Sequence, residues 1–273
     1  MMSKNTHSLT APLRNVEFRA LWLAEAQSIA GDQLAKVALT LLVYERTNSA
    51  LFAAVVYALT FLPALAGGLG LAQLADRYPR RSLMTVCAGI QAVLVGTMAV
   101  PGMPLPVLCA LLVVVQLVQS PLLAAQLAAT REVFTDDELY LRSQDLRGIT
   151  TNTMMLLGLG GGGLLVTGIG ASPALLIDAA TFVVTAVLIR AQLVNRPAAA
   201  RPGDRWFDGA RWAFGERRMR VLLTLSWLVG LAVIPEGLAA PLAADLDAPP
   251  EAVGWLLAAD PLGYIAGTFI LSR

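Results

Sequence analysis

Apolar runs separated by short connectors make up most of this chain, and its basic residues keep to every second connector. FAAVVYALTFLPALAGGLGLAQL and SLMTVCAGIQAVLVGTMAV, for example, flank the charged turn LADRYPRR at 74–81. A helix crossing a bilayer needs roughly 20 mainly apolar residues. Eight candidate spans approach that length: 20–44, 50–74, 82–100, 105–128, 147–169, 172–190, 219–240 and 252–272. With the N-terminus in the cytoplasm, the cytoplasmic connectors hold Lys4, Arg14 and Arg19, then Arg77, Arg80 and Arg81, then Arg131, Arg142 and Arg147. The basic group from Arg190 to Arg220 and Arg273 complete the set, leaving Arg46 outside and Lys36 within the first span. This asymmetry follows the positive-inside rule. Adding or removing one span would scramble it, so the charges support the span count as well. The expectation is a multi-pass protein of the cell (inner) membrane.

Composition points to the same solvent. The chain is 56% hydrophobic and 14% charged, against about 25% charged for a soluble domain, so the lipid bilayer is its expected partner. A net charge of +1 gives no bulk attraction for nucleic acid, and none is expected as a partner. The N-terminal segment lacks the apolar core and cleavage site of a signal peptide. The single histidine, His7, lies in a polar tail, and Cys87 and Cys109 lie inside apolar runs. That leaves no Cys/His metal spacing and no disulfide to expect. No Ser/His/Asp or Cys/His set and no GxxxxGK[ST] loop are present, so neither an enzyme, a cofactor nor ATP-driven chemistry is expected.

Polar groups inside the spans are costly and need a reason. In the first span, Glu25, Ser28, Asp32 and Lys36 fall on one stripe at helical spacing. In the fourth, Gln116, Gln119, Ser120 and Gln126 share a face, and Pro121 is expected to bend the helix. The sixth carries Asp178, Thr181 and Thr185; the last two carry Glu236 beside Pro235 and Asp260 beside Pro261. Plainer readings compete. Asp32 and Lys36, four apart, can neutralise each other, Glu25 can reach headgroups, and the amides can serve as interhelical hydrogen bonds of about 0.6–2 kcal/mol. Two polar stripes on different helices nevertheless point to a hydrated path, lined by Asp32, Gln116, Gln119 and Asn152. Asp32 and Glu25 are its candidate proton carriers, with Lys36 acting against that role in Asp32. In the fifth span, GLGGGGLLVTG (158–168) sets Gly158 and Gly162 four apart, with Gly163 beside them. Such spacing lets helices approach closely; a gating hinge is the alternative.

The turn Asp76-Arg77-x-x-Arg80-Arg81 resembles the signature loop of the major facilitator superfamily. Gly31-Asp32, VYERTNSALFAAVVYALTFLPAL, SPALLIDAATFVVTAVLI and DGARWAFGERRMRVLL are similar to its branch of macrolide-efflux and siderophore-exporter proteins. The resemblance implies an all-α membrane protein: a six-helix bundle over 1–190, a cytoplasmic linker with an interfacial helix over 191–218, and two spans of a second half over 219–273. It further implies secondary active transport by alternating access. The cargo would be a small, partly apolar compound such as a drug or siderophore, and protons the candidate coupling ion. The turn would act as a charge latch, Asp76 docking at a helix start. Ala72 and Pro79 replace the loop's glycines, and Leu159 replaces the proline of the family's G-P-x-x-G-G. The family's fourth-span arginine is missing near Gln116, Gln119 and Ser120. Family members have twelve spans, so the resemblance implies a truncated transporter. A non-transporting membrane remnant or assembly module is the alternative left open.

Overall fold

Polar side chains cap several of the helix starts, and a glycine makes the shortest turn between helices. The computed structural model describes residues 9–60, 63, 67–68, 70–198, 211, 214–230, 262–263 and 267, and among these every regular element is helical. Helix α1 spans Val16–Thr47; Asn15 caps it, its side chain accepting from the amides of Glu17 and Phe18. It ends at Asn48, in the left-handed region at φ 49°. Ser49 then caps α2, Ala50–Leu59. A short helix α3, Leu74–Arg77, leads through Pro79 into α4, Arg80–Met98. Helix α5 covers Leu105–Val133, and α6 covers Asp137–Ile169. Asp136 caps α6 while Asp137 and Glu138 occupy its first turn, where acids favour the positive end of the helix dipole. Only Gly170 separates α6 from α7, Ala171–Gln192, and its φ of 86° is one that side-chain-bearing residues avoid.

The first, third, fourth, fifth and sixth expected spans each coincide with a helix; α1, α5, α6 and α7 run past an expected end, while α4 stops two residues short at Met98. Hydropathy marks only the apolar length, whereas backbone hydrogen bonding carries α1, α5 and α6 on through flanking polar residues. Helix α6 in particular begins ten residues before its expected start at 147. The second span is described as α2 and a few residues beyond it. Pro121 lies within α5, which continues through it as one element.

Among the described residues three helices are long and apolar enough to cross a membrane: α4, α5 and α7. Away from the helix ends their outward side chains are apolar, including Val86, Ile90 and Val93 on α4 and Val183, Val184 and Val187 on α7. Such an exterior suits lipid.

Within the unit Met1–Ala200, α7 packs on α1 and α4, α1 also packs on α6, and α4 on α5. The buried apolar residues form separate clusters. One, with Leu39, Val95, Leu112 and Phe182, lies toward the C-terminal end of α1. Another, with Leu21, Met84, Ala129 and Ile189, lies toward its N-terminal end, which we call the basic end. Ion pairs Arg196–Glu17, at 2.7 Å, and Arg80–Glu132 tie that end together. At the opposite end an Arg46 guanidinium donates to the Met103 carbonyl at 2.5 Å. The polar stripe of α1 runs between the two clusters.

The second unit, Arg201–Arg273, contributes α8, Arg217–Gly230, with Val221, Leu222, Leu225 and Leu228 exposed. Glu236, Asp260 and the eighth expected span, apart from residues 262–263 and 267, lie outside the described residues, as does most of 191–218 beyond 198.

Candidate functional site

The stripe on α1 opens into two spaces. Toward the basic end is a cleft of ≈ 270 Å³. Glu25 and Ser28 of α1, Gln119 and Gln126 of α5, Thr151 of α6 and Thr185 of α7 supply its polar groups, and Ile29, Leu122, Leu123 and Ile189 its apolar wall. One turn further along α1 lies a narrow cavity of ≈ 20 Å³, lined by Asp32, Lys36, Gln116 and Asp178 among apolar neighbours. That volume holds about one water.

Glu25 is held from across the bundle. Arg147 of α6 donates from Nε to Oε2 at 2.5 Å and from its second guanidinium nitrogen to Oε1 at 2.6 Å. Side-chain exposure is 7% for Arg147 and 12% for Glu25. A two-pronged guanidinium fork is the geometry that best satisfies a carboxylate out of water. Gln144 accepts a further bond from Arg147, at 3.3 Å. One turn nearer the start of α1, Trp22 Nε1 donates to Thr150 Oγ1 at 2.8 Å, closing the same α1–α6 seam. Glu25 therefore does not extend to headgroups. Arg147, assigned by the charge pattern to a connector, lies inside α6.

The glycines of α6 make that seam possible. A Cβ added at Gly158 would strike the Gln33 side chain of α1, and one at Gly162 would come to 3.4 Å from Val37. Gly163 lies on the same helix. Against α7, Gly31 allows an equally close approach: a Cβ there would sit 2.5 Å from Asp178 Oδ1. Asp178 is 2% exposed, and Thr181 Oγ1 lies 3.4 Å from its Oδ1.

The amides are partly occupied by partners. Gln91 of α4, almost wholly buried, donates to Gln119 Oε1 at 2.7 Å. Gln126 donates to the Leu21 carbonyl at 3.3 Å. Gln27, which sequence reasoning passed over, donates to Thr185 Oγ1 and the Thr181 carbonyl, joining α1 to α7. Asn152 donates to the Gly148 carbonyl of its own helix and lines neither space; its neighbour Thr151 does.

In the turn, Arg80 pairs with Glu132 at the end of α5. Asp76 and Arg77 are exposed, and Arg81 buries its Nε without a hydrogen-bond partner. Asp76 accepts no hydrogen bond among the described residues.

Thus the structure brings Asp32, Lys36, Gln116 and Asp178 together, sets Glu25 and Gln119 beside the adjoining cleft, and leaves Asn152 apart. Sequence reasoning missed Arg147 as a site residue. The run Ser143–Thr153 is polar enough to have drawn attention, but a span begun at 147 cut it in two. Among the described residues no cluster of three or more His, Cys, Asp or Glu could hold a metal.

The family model described as Major Facilitator Superfamily matches residues 21–235. No curated protein matches the chain.

Proposed function

Since the chain belongs to the major facilitator superfamily, a family of multi-pass membrane transporters, we propose that it exports a small, partly apolar compound by alternating access. The cleft beside α1 carries this reading. It combines leucine and isoleucine walls with hydroxyl and amide groups, the mix that small-molecule sites use to hold and orient a ligand. Its volume suits a compact ligand or one part of a larger one. The likeness to macrolide-efflux and siderophore-exporter proteins favours outward movement of a drug- or siderophore-like cargo. We place the N-terminus in the cytoplasm of the cell that holds this protein in its inner membrane, so that the turn at 76–81 faces inward as a latch. The division into a bundle over 1–190, a linker over 191–218 and a further pair of spans over 219–273 belongs to the same proposal.

Asp32 is the proposed carrier of a coupling proton. It stands with Lys36, Gln116 and Asp178 around the one-water cavity, a turn away from the cleft. Substrate and proton would then occupy neighbouring compartments of one stripe.

The decisive experiment is efflux of a fluorescent hydrophobic dye from cells expressing the full chain. Thr151→Trp, which fills the cleft from its half-buried rim, should abolish efflux, and Asp32→Asn should slow it about tenfold. Dye retention equal to that of cells lacking the protein would refute transport. Unchanged efflux in Asp32→Asn would remove that residue from coupling. For topology, a thiol at position 78 should react with a membrane-impermeant reagent only after the cells are opened.

A further inference from the structure

Among the described residues that line the cleft, Glu25 is the one that carries a charge. Its charge is cancelled by Arg147, which does not line the cleft but reaches Glu25 from α6 with both prongs of its guanidinium group. What remains for a ligand is the uncharged set of Ser28, Gln119, Gln126 and Thr151 with an aliphatic wall. We infer that Arg147 is a specificity-determining residue: by neutralising Glu25 it makes the cleft select uncharged amphipathic ligands over cations and anions.

The physics is that of a charge out of water. A carboxylate with little exposure requires a counter-charge, and removing either member of a buried pair strands the other. While Arg147 is in place, a cationic ligand finds no net attraction to offset its own dehydration. An anionic ligand would have to displace Glu25 from a bidentate partner. A neutral ligand meets neither obstacle. Specificity of this kind comes from penalising the wrong ligand as much as from attracting the right one. Arg147 acts through Glu25, so its removal should change which charge is accepted and not merely how much ligand binds.

The inference rests on the cleft being the ligand site, and the test separates the two. The full chain in lipid nanodiscs is titrated with three dyes sharing one boron-dipyrromethene core: uncharged, trimethylammonium-bearing and carboxylate-bearing. The wild type should bind the uncharged dye about tenfold more tightly than either charged one. Arg147→Gln should shift the preference about tenfold toward the cation, and Glu25→Gln should shift it about tenfold toward the carboxylate dye. The double variant Glu25→Gln/Arg147→Gln and the conservative Arg147→Lys should both keep the uncharged dye in first place. Equal binding of all three dyes by the wild type overturns the inference without any variant having to fold. A preference unmoved in both single variants overturns it while leaving the cleft as a ligand site. If Thr151→Trp leaves dye binding to the chain unchanged, the cleft is not the ligand site and the inference falls with it.

Discussion

The cleft and the small cavity lie one helical turn apart on both α1 and α5, yet they handle buried charge in opposite ways. Beside the cleft, Glu25 and Arg147 come from different helices and meet at 2.5 and 2.6 Å. Around the cavity, Asp32, Lys36 and Asp178 crowd into ≈ 20 Å³, with Gly31 giving up its side chain so that α1 can lie against Asp178. The first arrangement draws the charges to one wall and leaves ≈ 270 Å³ beside them. The second fills its space with the charges themselves. A bundle in lipid thus keeps room for a ligand where charges pair across helices, and room for little more than a water or a proton where they cluster.

The sharpest way to break this contrast is to remove one member of the cross-helix pair. Arg147→Met leaves Glu25 without its partner, and losing one side of a buried pair costs about 3–5 kcal/mol. Asp178→Asn keeps shape and an oxygen for Thr181, so it should cost about 1 kcal/mol. Unfolding midpoints in SDS would measure both. Similar losses in the two variants would mean that the paired and clustered charges contribute alike, and the distinction would go.

The seam that carries the pair offers a smaller effect. Gly158→Ala forces a methyl into Gln33 and should cost about 1–3 kcal/mol as overpacking. At Gly162 the methyl meets Val37 at 3.4 Å, and at Gly161 nothing lies within 4 Å. Thermal stability should therefore fall in the order Gly158→Ala, Gly162→Ala, Gly161→Ala, the last close to wild type. A flat series would show that α1 and α6 are held apart, and Gly158 would then be free to act as a hinge.

How much of this was legible beforehand differs between the two regions for a physical reason. The stripe Glu25, Ser28, Asp32 and Lys36 is periodic on one helix, and periodicity is what a sequence displays. Alternating charge marked the neighbourhood of the turns, but Arg131 stands inside α5 and Arg142 and Arg147 inside α6. The partner of Glu25 is 122 residues away, and no local pattern links the two. The polar opening of α6 hid Arg147 as well, because a helix that starts in water and continues into lipid has no hydropathy edge at its true beginning. Asn152 failed for another reason. Polar side chains can bond to their own helix at i−4, and spacing does not distinguish that from facing a path. Gln119 was found, but its occupation by Gln91 was not, since α4 showed one buried amide and no stripe.

That amide pair reaches the cleft through Gln119, while Gln116, a turn away, lines the cavity. It yields the smallest expected effect and the most directional one. Gln91 donates to Gln119, but its own Oε1 is buried without a partner. Gln91→Leu removes that bond and a longer one to the Val115 carbonyl at 3.5 Å, together with an unsatisfied acceptor. Gln119, at the cleft, can turn to water instead, so stability should change by less than about 1 kcal/mol. Gln119→Leu leaves the buried Gln91 amide only its long bond to the Val115 carbonyl and should cost about 1–3 kcal/mol. Unfolding midpoints for the two variants measured side by side decide the matter. If the two losses are equal, Gln119 gains nothing from water when its partner is lost, and the cleft is dry at that position.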